Sequence, residues 1–111
     1  MSQLITNVIG GLYNPYDFES ITVSSTAIGL TSSLYNPSTV GTRPLDQAQY
    51  VIITSETNDI RYRIDGTDPT ASVGHKLVAG SSMVLAGYSA IVKFKSIATG
   101  SDATLMVTYE R

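Results

Sequence analysis

The sequence predicts an all-β fold, an antiparallel β-sandwich of seven or eight short strands. Three observations lead to this prediction. Apolar and polar residues alternate at period two in several segments, turn residues recur about every ten positions, and no stretch has the period of an amphipathic helix. Both a jelly-roll-like and an immunoglobulin-like sandwich fit this pattern, because the order of strands within the sheets is not encoded locally.

The first 17 residues are predicted to be an N-terminal arm that precedes a single sandwich domain over residues 18–111. The arm has short apolar groups interrupted by Gly10 and Gly11, which is too little for a stable helix. Because these side chains would be exposed on a free monomer, we expect the arm to pack on a neighbouring chain or to add an edge strand to its own sheet. The arm residues predicted to bind a partner are Leu4, Ile5, Val8, Ile9 and Tyr13.

The first half of the domain is predicted to contain three strands. The first covers residues 18–26, and a weaker one over residues 27–35 leads into a loop over residues 36–44 that holds two prolines. Residues 48–55 are almost continuous in β-forming side chains. This run predicts a central strand that is covered on both faces.

Residues 60–64 show the clearest strand pattern in the chain, because three apolar residues alternate with Arg61 and Arg63. An Asp-Gly pair follows directly and supplies turn chemistry. Only four polar residues separate this strand from residues 48–55. The two strands are therefore predicted to pair as a hairpin.

The last third of the chain is predicted to add strands over residues 81–86, 90–97 and 104–110. In the second of these, Lys93 and Lys95 occupy the face opposite the apolar side chains. The polar segment between the last two strands has the composition of a turn that joins antiparallel neighbours. No predicted helix is needed to account for this region.

Composition argues against several classes of function. A net charge of −2 and a pI near 5.1 disfavour nucleic acid as the ligand, since phosphate binding needs clustered positive charge. No apolar run is long enough to cross a membrane, and the first residues lack the basic start of a signal peptide. We therefore expect a soluble protein made in the cytosol, with neither nucleic acid nor membrane as a partner.

Catalytic, cofactor and metal sites are not predicted. The chain has no cysteine, and its one histidine, His75, has no acid at a spacing that would orient it. There is no Gly-x-Ser-x-Gly motif, and a 111-residue sandwich with three glutamates has little room for a cleft that holds two convergent catalytic carboxylates. The sequence thus favours a non-enzymatic protein without a cofactor or a metal.

Charge placement is the feature that points to a binding surface. Four of the seven Lys and Arg residues fall in two pairs spaced i, i+2, on predicted strand faces opposite to apolar residues. If the two strands share a sheet, the pairs form a basic stripe that could steer docking onto an acidic partner surface. The alternative is two ordinary solvated faces whose basic groups pair with Asp or Glu. The residues of this stripe are Arg61, Arg63, Lys93 and Lys95.

Two resemblances to known proteins follow from these segments. Residues 62–70 resemble the Y-x-x-D-G-T-x-P-T strand-turn of small sandwich modules appended to chitinases and hexosaminidases, where its role is structural. A longer pattern, which covers most of residues 20–110, is similar to small structural proteins of tailed bacteriophages. It is carried by residues 21–23, 27–31, 48–53, 60–63, 65–75, 91–97 and 102–109.

The second resemblance implies a virion component, most like a capsid decoration (cement) protein. Such a protein attaches to the major capsid protein on the outside of the phage head, associates as a homotrimer and needs no cofactor. Two alternatives remain in view: a neck or tail structural protein of the same particle, and a carbohydrate-binding accessory module. The module would need a platform of aromatic rings, and the candidates are Tyr13, Tyr16, Tyr35 and Tyr88.

Overall fold

The computed structural model of the chain describes residues 13–37 and 46–111. The predicted arm residues 4–9 and most of the predicted loop over residues 36–44 lie outside the described residues. The described chain confirms the all-β prediction with eight strands and two short helices. The strands are β1 (Pro15–Val23), β2 (Ile28–Gly29), β3 (Tyr50–Thr57), β4 (Ile60–Arg63), β5 (His75–Leu77), β6 (Ser82–Ala86), β7 (Lys95–Ala98) and β8 (Ala103–Glu110), and the helices are α1 (Ser32–Tyr35) and α2 (Tyr88–Lys93).

The strands form two four-stranded antiparallel sheets, in the orders β1-β8-β3-β6 and β2-β7-β4-β5. Consecutive strands occupy matching positions in the two sheets: β1 with β2, β8 with β7, β3 with β4, and β6 with β5. This is the strand order of a jelly roll, in which a folded-over ribbon of paired strands wraps into a sandwich. The order decides between the two predicted sandwich types.

Four of the connections between the two sheets are short turns, over residues 24–27, 58–59, 78–81 and 99–102, whereas the β2–β3 and β6–β7 connections are longer. Hydrogen bonds join these turns to one another. The Asn58 side-chain amide donates to the carbonyl of Asp102 at 2.8 Å, and the Ala98 N–H donates to the Ser24 carbonyl at 2.9 Å. The Ala79 N–H donates to the Asp59 carboxylate at 2.8 Å. All four turns therefore lie at one end of the sandwich, called the crossing end below.

Two predicted strand pairings are wrong, because in each case the two connected strands lie in different sheets. The strands predicted as a hairpin, residues 48–55 and 60–64, correspond to β3 and β4, which lie in different sheets. The turn over residues 99–102 likewise joins β7 to β8 across the sandwich rather than within a sheet. Asn58 has a φ of 61°, in the left-handed region, and this backbone conformation turns the chain from one layer into the other.

The core fills the space between the two sheets. Along β8, the side chains of residues 103, 105, 107 and 109 point inward and are buried, as the sequence alternation predicts. β3 occupies an inner position in its sheet, as predicted, but only its inward face is buried and its outer face is half-buried. The prediction of a strand covered on both faces is therefore wrong. Each fully buried aliphatic side chain stabilises the fold by about 1.5–3 kcal/mol.

Two predicted strand segments contain helices instead. The weak strand over residues 27–35 is reduced to the two residues of β2, after which α1 begins. The strand predicted over residues 90–97 is α2 up to Lys93, and only then becomes β7. α2 carries Ile91 into the core between the sheets, and that burial outweighs the strand preference of its β-branched side chains.

Candidate interaction surfaces

The outer face of the β2-β7-β4-β5 sheet brings basic residues together. Arg63 on β4 lies opposite Lys95 on β7, and Arg61 lies opposite Lys76 on β5. Alternation along β4 places both arginines on the side away from the core. Lys76 was not predicted as a member of this surface, although its position next to the apolar Leu77 is the sequence signal for an outward side chain.

Lys93 reaches the same region from α2 rather than from a strand. A Cβ built on Gly66, in the loop between β4 and β5, would lie 4.0 Å from the Lys93 Cγ atom. The predicted strand placement of Lys93 is wrong, yet this contact with the β4–β5 loop brings the residue near the others. Five of the seven Lys and Arg residues thus form one surface, called the basic face: Arg61, Arg63, Lys76, Lys93 and Lys95.

Acidic residues pair with three members of the basic face. Arg63 donates two hydrogen bonds to Asp65, at 3.1 and 2.5 Å, and this contact lowers the pKa of the Asp65 carboxyl and raises that of the guanidinium. The Lys95 and Lys76 ammonium groups lie 3.8 and 3.6 Å from the nearest carboxylate oxygens. Each of these pairs is exposed to solvent and contributes little to stability.

Two members of the basic face have no acidic partner among the described residues. The Arg61 guanidinium donates to the carbonyls of Ala71 and Gly74, at 3.2 and 2.9 Å, and so holds the β4–β5 loop against the sheet. Lys93 makes no ion pair in the part of the chain that the structure describes. The alternative of fully paired, ordinary strand faces therefore accounts for part of this surface, and an excess of positive charge is left.

An open groove of about 440 Å³ lies beside the basic face, between β4, β5 and the loop that joins them. Gly74 is required there, because its φ is 138° and an added Cβ would lie 3.1 Å from the Tyr62 carbonyl oxygen. His75 lines the groove, with its ring centroid 5.4 Å from that of Tyr62. Within the two described ranges no three His, Asp or Glu residues are arranged to hold a metal ion.

The outer face of the other sheet, β1-β8-β3-β6, has two central rows without an ionisable side chain, and alternation along β8 places Glu110 in the next row of the same face. The register aligns Phe18, Thr108, Ile52 and Val84 in one row. Ser20, Met106, Thr54 and Ser82 form the next row, in which the Thr54 and Ser82 hydroxyls lie 2.7 Å apart. These two rows are called the uncharged face below. This surface was not predicted from the sequence, although the serine and threonine residues at outward positions of these strands are a signal for it.

Tyr13 lies at one end of this sheet. Its ring centroid is 4.3 Å from that of Tyr50, and the next residue, Asn14, exchanges two backbone hydrogen bonds with Arg111. Tyr50 is in register with Glu110, a residue that is 4% exposed and whose carboxyl has a pKa raised by burial. Of the predicted arm residues, the structure therefore describes Tyr13, and it places this ring against the sheet.

The other candidate platform tyrosines make contacts within the domain. The Tyr16 hydroxyl donates to the Leu34 carbonyl at 2.7 Å, and burial raises its pKa to about 12. The ring centroids of Tyr35 and Tyr88 are 5.9 Å apart in an edge-to-face arrangement. Tyr13 stacks on a different ring, as described above. The four candidate tyrosines therefore take part in separate contacts.

In the described ranges, no helix has the length and apolar character needed to span a bilayer. Comparisons with protein-family models, with curated proteins and with solved structures find no match for this chain.

Proposed function

We propose that this chain is a non-catalytic structural protein of a tailed-phage particle, which binds the outside of the assembled capsid and stabilises it. The observation that carries the proposal is the basic face: five basic residues gathered on one side of a jelly roll whose net charge is −2. The resemblance in sequence pattern between most of residues 20–110 and small phage structural proteins suggests the biological setting.

Charge complementarity is the physical basis of the proposed attachment. A basic face on an otherwise acidic protein orients the molecule as it approaches an acidic surface and raises the association rate. The acids that lie among the basic residues are about one-third to two-thirds exposed, so their ion pairs can exchange for contacts with a partner at little cost. The proposed partner surface is an acidic region of the major capsid protein.

Stabilisation of the capsid then requires no catalysis. A protein that binds the assembled lattice and not its free subunits shifts the equilibrium toward the lattice by mass action. Contact with more than one capsid subunit would make individually weak contacts effective through their combined local concentration.

Binding to undecorated capsids tests the proposal. The variant is the pair Lys93→Gln and Lys95→Gln, which removes two positive charges from the basic face. The matched control is the pair Ser25→Glu and Thr26→Glu, which changes net charge by the same amount at the exposed crossing end. We expect the first variant to bind about tenfold more weakly, a loss of about 1.4 kcal/mol, and the control to bind normally. Equal affinity of both variants would contradict the role of the basic face.

Copy number on particles separates the head from the neck or tail. Decoration of a capsid lattice requires on the order of hundreds of copies, whereas a neck ring holds about a dozen. Quantitative gel analysis of purified particles measures this number directly. A count near a dozen would replace the decoration assignment with the neck or tail alternative.

A further inference from the structure

The open groove beside the basic face contains two exposed aliphatic side chains. Ile64, directly after β4, and Val73, just before β5, both line it, and they are 42% and 52% exposed. The groove volume of about 440 Å³ lies within the range of sites that take a small ligand or a partner's side chain. Aliphatic side chains in a concave site give an apolar group of a partner a place to leave water.

Hydrogen bonds hold the loop that forms the groove. Val73 and Thr70 exchange two backbone hydrogen bonds, at 2.9 and 3.3 Å, and the Thr70 hydroxyl accepts another from the Val73 N–H at 2.9 Å. The Arg61 guanidinium binds the same loop through the carbonyls of Ala71 and Gly74. The exposed position of Val73 is therefore built into the loop, and binding there requires little further ordering of the protein.

Positive charge without an acidic partner lies at both segments that border the groove. Arg61 donates to the carbonyl of Gly74, which lines the groove, and Lys93 reaches the loop next to Asp65, which also lines it. Within the groove, Arg63 and Asp65 form an ion pair. Arg61 and Lys93 have no acidic partner among the described residues, so the groove has a neutral, partly aliphatic centre and an excess of positive charge around it.

We propose that this groove receives an aliphatic side chain from an acidic segment of the partner, whose flanking carboxylates meet Arg61 and Lys93. The identity of the partner rests on the proposed function, and the groove adds the chemistry of the recognised segment: an aliphatic residue with Asp or Glu on both sides. Charge complementarity selects the acidic neighbours. The guanidinium of Arg61 has N–H donors beyond the two that it uses on the loop, and these remain for a carboxylate.

Capsid binding at low and high salt separates the groove from the charges. Val73→Ser removes aliphatic contact without changing charge, and Val78→Ser is the matched control at a similarly exposed valine in a crossing-end turn. We expect Val73→Ser to bind about fivefold more weakly at both about 0.05 M and about 0.3 M salt, and Val78→Ser to bind like the wild type. The Lys93→Gln, Lys95→Gln variant should approach the wild-type affinity at high salt, because salt screens the charges that it lacks.

A peptide titration tests the groove without capsids. The probe is N-acetyl-Asp-Leu-Asp-amide, and N-acetyl-Asp-Ser-Asp-amide is its control of equal charge. In NMR titrations the leucine peptide should shift the amide resonances of Val73, Gly74 and His75, with an affinity about fivefold higher than that of the serine peptide. Val73→Ser should reduce this preference.

The two experiments distinguish failure of the groove from failure of the attachment. The groove proposal is wrong if Val73→Ser binds capsids like Val78→Ser while the lysine variant is weakened. It is also wrong if the two peptides bind equally, or if neither shifts the groove resonances. If the wild type does not bind capsids but prefers the leucine peptide at the groove, the capsid assignment is wrong and the groove serves a different partner with the same acidic and aliphatic chemistry.

Discussion

Glu110 is a carboxylic acid in an unfavourable setting. It is 4% exposed, and its Oε1 atom is buried without a hydrogen-bond partner among the described residues. Burial disfavours the charged form and raises the pKa of this carboxyl above its ordinary value. Between the ordinary and the raised pKa the native state holds more protons than the unfolded state. The free energy of unfolding therefore falls as the pH rises through that window, and the loss persists at neutral pH.

Replacing the acid by its amide should remove this cost. We expect Glu110→Gln to be more stable than the wild type at pH 7 and equally stable at about pH 3. At the lower pH the wild-type carboxyl is protonated in both the folded and the unfolded protein. Urea midpoints at the two pH values measure the difference. The matched control is Glu56→Gln, at an exposed position near the end of β3, which should show no such pH-dependent gain. A gain for Glu110→Gln that is the same at both pH values would contradict an electrostatic cause.

At the scale of elements, the strands themselves could be predicted and the turns between them could not. β1, β6 and β8 lie where strands were predicted, and along β8 the buried residues alternate as its sequence pattern does. The β3–β4 connection was predicted as a hairpin because two strands around a short polar turn have the same sequence pattern in both arrangements. They can pair within one sheet, or they can lie in the two packed sheets. The difference depends on Asn58 and on the neighbouring turns that it contacts, which lie far away in sequence.

Asn58 should therefore be sensitive to substitution in a specific order. Asn58→Gly keeps the left-handed backbone accessible and removes the amide bond to Asp102, which should cost about 1 kcal/mol of unfolding free energy. Asn58→Ala loses the same bond and adds about 1 kcal/mol of backbone strain. Denaturant unfolding of the two variants gives this difference, and equal stabilities would show that the left-handed conformation is not a constraint.

At the scale of the whole molecule, the surfaces depend on the strand order. Four basic residues were identified from their local alternation, but the convergence of Arg61, Arg63 and Lys95 rests on β4 and β7 being neighbours in one sheet, and the fourth reaches them from α2. The uncharged face was missed because it forms only when β1, β8, β3 and β6 align, and those strands are distant in sequence. Composition and periodicity specify the class of fold, whereas such surfaces require the topology.

The arm prediction also belongs at this scale. Deletion of residues 1–12 leaves the stacked ring of Tyr13 and the backbone bonds of Asn14 in place. We expect this variant to keep the melting temperature of the full chain and to occupy fewer sites on capsids, because Leu4, Ile5, Val8 and Ile9 are predicted to contact a partner. Calorimetry and particle occupancy measure the two effects. Full occupancy of the shortened chain would contradict a binding role for these side chains.

The paired backbone of Asn14 and Arg111 has a practical consequence for engineering. Since these two positions exchange hydrogen bonds at 2.9 and 3.0 Å, a short linker could join them and new ends could be opened in an exposed loop. A peptide or enzyme displayed after Arg111 would leave the jelly roll opposite the crossing end. That placement keeps a displayed cargo clear of the four short turns at the crossing end.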